Sequence, residues 1–164
     1  MKRFTLFIIS ITFCTNAQLS AQSFIPVSPD TSQIKQIWRD LEYSETIGYT
    51  YLSEYYESET KKVILEMTDP EWIEEAPCSF WQKFEHDIYY EVNMCHYAGV
   101  NEKIVFPKME TEEAQKLINE LFHEKFNAWE SEYIYAPIGG GAGCYYMIQQ
   151  DSFQTTTISW GCGC

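Results

Sequence analysis

The chain has 164 residues, 45% hydrophobic and 21% charged, which suits a globular domain and excludes collagen-like, low-complexity and disordered chains. Its 24 acidic residues against 11 basic ones give a formal charge of -13. So acidic a surface argues against a nucleic-acid backbone as partner.

The first segment reads as an address. Met1-Lys2-Arg3 is a basic start, residues 4–13 (FTLFIISITF) are apolar, and residues 14–23 (CTNAQLSAQS) are small and polar. That is the order of a secretory signal peptide, with cleavage expected after Ala17 or Ala21. Ten helical residues rise only about 15 Å, half of a ~30 Å bilayer core, so this run is too short to span. No later run reaches a spanning length, so no integral membrane segment is expected once the signal is removed. A lipid anchor on Cys14 is disfavoured because bulky Phe13 stands where a small residue is required. Losing Lys2 and Arg3 with residues 1–21 takes the charge from -13 to -15. Secretion, or the periplasm of a Gram-negative bacterium, is the expected location, with residues 22–164 forming one domain.

Several elements follow in chain order. Asp30 or Thr31 can cap a helix whose Ile34, Ile37, Trp38 and Leu41 recur at helical spacing, ending near Ser44. Residues 46–56 (TIGYTYLSEYY) place Ile47, Tyr49, Tyr51 and Tyr55 on alternate positions, which suits a strand. Residues 61–68 read as its hairpin partner. Residues 69–77 (DPEWIEEAP) allow a turn or two of helix. FWQKFEH fits a helix, whereas residues 86–96 alternate as a strand. Residues 102–107 form a short strand ended by Pro107.

Residues 112–129 have the strongest helical pattern. Thr111 can cap them, Glu112 and Glu113 suit the first turn, and Ala114, Leu117, Ile118, Leu121, Phe122, Phe126 and Trp129 make one apolar stripe. GGGAG (residues 139–143) allows an open loop before a terminal hairpin of residues 143–150 and 154–162. No internal repeat is visible. The expected fold is α+β: an antiparallel sheet of about six short strands, two main helices on one face, and a disulfide-stapled C-terminal hairpin.

Export places cysteines where disulfides persist. With Cys14 removed, five remain, so two bridges and one spare thiol are expected. Cys144 and Cys162 fall opposite each other in the terminal hairpin, within bridging distance. Cys164 has the same parity as Cys162 and is its rival. The favoured set is Cys144 with Cys162 and Cys78 with Cys95, leaving Cys164 spare.

Familiar catalytic patterns are missing. GGGAG lacks the Lys and Ser/Thr of a phosphate loop and precedes a strand. No G-x-S-x-G occurs. The terminal CGC lacks both the C-x-x-C spacing and the following helix that activates a thiol. Met94-Cys95-His96 carries soft-metal ligand types, and Cys95, His96, Cys162 and Cys164 make a conceivable metal site without the usual paired spacing. The band Tyr43, Tyr49, Tyr51, Tyr55 and Tyr56 offers a recognition surface. These readings favour an exported binding domain, with no cofactor, that recognises a protein or a cell-envelope glycan. The alternative is a thiol-redox or soft-metal protein using CGC and Met94-Cys95-His96.

Overall fold

The structure is a computed structural model describing residues 23–30, 32, 46–67, 77–95, 100–122, 124–152 and 154–163. Within them the chain runs α1 (Ile47–Tyr55), β1 (Val63–Met67), β2 (Pro77–Phe84), β3 (Ile88–Asn93), β4 (Val100–Pro107), α2 (Thr111–Phe122), β5 (Asn127–Ser131), β6 (Ile134–Pro137), β7 (Gly143–Gln150) and β8 (Thr155–Gly163). The signal segment, the expected first helix and residues 69–76 lie outside the described residues.

All described strands join one antiparallel sheet in the order β1-β2-β3-β4-β8-β7-β6-β5. A helix followed by a four-stranded meander therefore occurs twice. The two fourth strands, β4 and β8, pair at the middle of the sheet, Val100 opposite Cys162 through Pro107 opposite Thr155. This repetition is one of topology and leaves no repeat in the sequence. The α+β class stands, with eight strands instead of six.

Three differences produce that count. First, residues 46–56 form a helix, not a strand. Thr46 caps it, its hydroxyl accepting from the Tyr49 amide at 3.4 Å, and Ile47, Tyr51 and Leu52 bury a helical face. A segment with apolar residues at 47, 51 and 55 satisfies both periods over so short a run, and packing decides. Second, FWQKF is the end of β2, and β3 begins only at Ile88. The turn between them uses left-handed backbone at His86 (φ 60°) and Asp87 (φ 57°), which closes a tight hairpin between twisted strands. Third, the strong helix stops at Phe122. Phe126 is 71% exposed, and Trp129 sits in β5 opposite Tyr135, ring centroids 5.1 Å apart. Pairing of β5 with β6 outweighs continuation of the helical stripe.

Even-numbered side chains of the central strands bury against the helices. Phe80, Phe84, Ile88, Tyr90, Val92, Ile104, Phe106, Tyr146, Ile148, Ile158 and Trp160 meet Ile47, Tyr51 and Leu52 of α1 and Leu117, Ile118 and Leu121 of α2. Both helices thus cover one face. The two disulfides are the expected pair: Cys78 with Cys95, and Cys144 with Cys162 across β7 and β8 at a Cα separation of 4.1 Å. The terminal hairpin has the expected stapled register, and disulfides of this kind belong to oxidising compartments. No helix among the described residues is long and apolar enough to cross a membrane.

One buried acid interrupts this apolar layer. Glu102 of β4, only 7% exposed, accepts from the Tyr90 hydroxyl at 2.7 Å and from the Trp160 indole N–H at 3.0 Å. Tyr90 in turn shares a hydrogen bond with the hydroxyl of Thr46, the cap of α1. Burial raises the Glu102 carboxyl above the ordinary carboxylate range, and its hydrogen bonds offset part of that rise. Gly48 of α1 completes the contact, because a Cβ there would stand 2.5 Å from the Trp160 ring.

Two outcomes follow from this knot. Gly48→Ala improves helix propensity by about 1 kcal/mol, but overpacking against the indole outweighs that gain. Urea unfolding is expected to show a net loss of about 1–2 kcal/mol, and a gain in stability would mean that the helix does not rest on Trp160. Glu102→Gln keeps the shape and removes the charge. Because the folded pKa is raised, the carboxyl's contribution is full below the unfolded value of about 4.3 and is lost as pH rises through the folded one. The stability difference between Gln and Glu should therefore shift in favour of Gln from pH 4 to pH 7. Parallel pH–stability curves for the two proteins would contradict it.

Candidate ligand-binding face

Among the described residues, the two helices leave the other face of the sheet uncovered; in the central strands odd-numbered side chains make it, and in β6 the even-numbered Ile134 joins them. Antiparallel register arranges it in rows across the strands. The middle row runs Val63, Trp81, Glu91, Lys103, Ser159, Met147 and Ile134, each opposite the next. On one side lies the row Lys83, Tyr89, Val105, Thr157 and Gln149. On the other lies Asn93, Asn101, Gly161 and Tyr145.

Two shallow depressions lie on this face. One, of about 390 Å³, is bounded by Trp81, Tyr89 and Val105. The other, of about 360 Å³, is bounded by Asn93, Asn101, Ser159, Tyr145 and Met147. Glu91 and Lys103 border both. Their side chains form an ion pair at 2.8 Å between directly opposed residues.

Local chemistry holds these groups in place. The Tyr145 hydroxyl donates to the Gly141 carbonyl at 3.0 Å and accepts the Gly141 amide at 3.3 Å, so the glycine-rich loop fixes that ring. Gly161 leaves room for Asn101, whose side-chain oxygen would stand 3.0 Å from any Cβ there. Beneath the second depression lies the bond from Trp160 to Glu102, and these two residues are the chain neighbours of Ser159, Gly161, Asn101 and Lys103. At the far corner Lys83 pairs with Asp87 at 2.8 Å and Glu59 at 2.7 Å, which holds its ammonium pKa above the usual lysine range and lowers that of Asp87. Its ammonium also stands 5.7 Å from the Tyr89 ring centroid. The lysines of this face thus meet acids of the same surface.

The residues singled out from sequence do not form this face. Tyr51 and Tyr56 are buried, and Tyr49 and Tyr55 are half-buried against the same core. They work as braces. The Tyr51 hydroxyl donates to the Val27 carbonyl at 2.7 Å, Tyr56 accepts the Val27 amide at 2.9 Å, and Tyr55 accepts the Asp30 amide at 2.8 Å. Tyr49 donates to Gln82 at 3.0 Å. The expected tyrosine recognition surface is therefore corrected: on a helix these rings turn into the core and strap residues 27–30 against it. Tyr43 lies outside the described residues.

The proposed metal set is also corrected in part. Cys95 and Cys162 are consumed in the bridges to Cys78 and Cys144, so neither offers the thiolate that a soft metal takes. His96 and Cys164, the expected spare thiol, lie outside the described residues. Among the described residues, no group of three or more His, Cys, Asp or Glu side chains is placed to hold a metal ion.

Sequence reasoning missed Trp81, Tyr89, Asn93, Asn101 and Tyr145. The signal was alternation: Ile88, Tyr90 and Val92 face one way, Tyr89, Glu91 and Asn93 the other. What sequence did not carry was the adjacency of β4 and β8, which brings the two halves of the face together. Comparison with protein-family models, with curated proteins and with solved structures finds no match to this chain.

Proposed function

We propose that this protein is an exported binding module, secreted or held in the periplasm of a Gram-negative bacterium, which takes its ligand on the open face of the sheet. One observation carries the reading. Half-exposed aromatic, amide and paired charged side chains form a continuous field across β2, β3, β4, β8 and β7, on the face that the helices leave uncovered. Such a field contributes little to the core. Cross-strand pairs on a solvent face are worth only about 0.2–1 kcal/mol each. Tyr89 and Tyr145 are each 40% exposed and Met147 43%, a cost in solubility that a ligand would relieve. Export is supported by the leader-like residues 1–21 and by the two bridges.

The test locates the ligand without naming it beforehand. Isotope-labelled protein with intact bridges is titrated with the protein and glycan fractions of the producing cell's envelope, and amide and indole resonances are followed. Shifts should concentrate at odd-numbered residues of β2, β3, β4, β8 and β7 and vanish in a Trp81→Ala/Tyr145→Ala variant. Shifts centred on the outer surfaces of the helices, or on the edge strand β1, would overturn the reading.

A further inference from the structure

Resting on that reading, we propose that the ligand is a neutral oligosaccharide laid across β2, β3, β4, β8 and β7, stacked at its two ends and hydrogen-bonded at its middle. The distribution of polarity over the face distinguishes this ligand from a protein. Protein interfaces place an apolar core at the centre and polar groups at the rim. Along the middle row the order is reversed: Glu91, Lys103 and Ser159 occupy β3, β4 and β8, between Trp81 on β2 and Met147 on β7, while Asn93, Asn101 and Tyr145 flank that row on one side and Tyr89 and Val105 on the other.

A chain of sugar rings has the matching pattern. Each ring offers a patch of C–H groups that packs on an aromatic face, and a rim of hydroxyls that both donate and accept. Asn93 and Asn101 are directly opposed across β3 and β4, and each amide carries two donors and an acceptor oxygen, that of Asn93 already taking the Cys95 amide at 3.2 Å. The Glu91–Lys103 pair adds a carboxylate acceptor and an ammonium donor at the border of the two depressions. Four strand spacings separate β2 from β7, about 19 Å, enough for several linked sugars. Two adjoining depressions of about 390 and 360 Å³ are each roomy enough for a ring.

Charge narrows the class further. Lys83 and Lys103 are each engaged by acids of the protein, and the whole chain carries -13. A polyanionic glycan would meet repulsion at range, and the two described lysines in the rows of this face, Lys83 and Lys103, are already paired with acids. A neutral glycan meets neither cost.

The experiment uses the signal-free chain with both bridges intact. It is titrated with neutral hexamers of β-1,4-glucose, α-1,4-glucose, β-1,4-xylose and β-1,4-N-acetylglucosamine, and with hexagalacturonate as the polyanion. At least one neutral hexamer should give saturable shifts at the Trp81 indole and at Asn93 and Asn101, and hexagalacturonate should give none. Trp81→Ala removes a stacking ring and should weaken binding about tenfold or more. Asn101→Ala, at an exposed position, provides a second variant that leaves the core untouched, and should weaken binding as well.

Equal affinity in both variants, preference for hexagalacturonate, or silence of those resonances with every neutral hexamer would overturn the proposal. Should an envelope protein shift the same resonances while all hexamers stay silent, the glycan ligand falls and the binding face remains. Should neither move them, both readings fall.

Discussion

On the buried side of the β4–β8 pair, one carboxyl group links the two strands across directly opposed residues. Glu102 accepts from Trp160 across that strand pair and from Tyr90 on the next strand, and Tyr90 reaches the Thr46 cap of α1. Three strands and the first helix therefore meet at one acid. Leaving such a group buried without partners costs more than a hydrogen bond normally returns. The knot specifies arrangement more than it adds stability. Only one register of β4 against β8 lets the indole meet the carboxyl, and only a glycine at position 48 lets α1 lie on that indole. Around it, Phe122 and Tyr146 close on the rings, with Phe122 4.8 Å from Trp160 and 4.5 Å from Tyr146 between centroids.

That junction also builds the open face. Among the described residues, each half is a helix and a meander of four strands, and in the sheet the halves meet where β8 pairs with β4. Asn101 and Lys103 then come beside Gly161 and Ser159, and through them beside Tyr145 and Met147. The disulfides act within halves: one ties β2 to the end of β3, the other ties β7 to β8. They fix register at the outer members of the face, while the Glu102 bond fixes it at the centre.

Much of the fold was legible in the residues, and the failures have physical causes. The terminal hairpin and its bridge followed from alternation about a turn, because cross-strand pairing depends only on local count. The second helix followed from its apolar stripe, but its end did not. Phe126 and Trp129 continue the helical period while belonging to a turn and a strand, and only the partner strand β6 reveals it. The first described helix was misread because tyrosine favours strands and because Ile47, Tyr51 and Tyr55 fit both periods. That error carried into function, since tyrosines on a strand would have shown rings to solvent. On a helix they bury them. Glu102 had a readable sign, sharing parity with Ile104 and Phe106. An acid on an apolar stripe asks for partners, but which ones depends on strand order.

The same alternation separates what folds this protein from what it displays. Even positions of the central strands carry the core, and their substitution would be felt throughout the sheet. Odd positions need only tolerate a strand and water, and threonine, serine, lysine and glutamate would meet that need everywhere. Thr157, Ser159, Glu91 and Lys103 do so. Trp81, Tyr89, Tyr145 and Met147 do not: each presents apolar surface on a face that neither described helix covers, and none is required by the helix side. Two of them have partners of their own: the glycine-rich loop holds the Tyr145 hydroxyl, and the Lys83 ammonium stands beside the Tyr89 ring. Aromatic rings on a face that neither described helix covers, with amides and an ion pair between them, are the feature on which the proposed binding role rests.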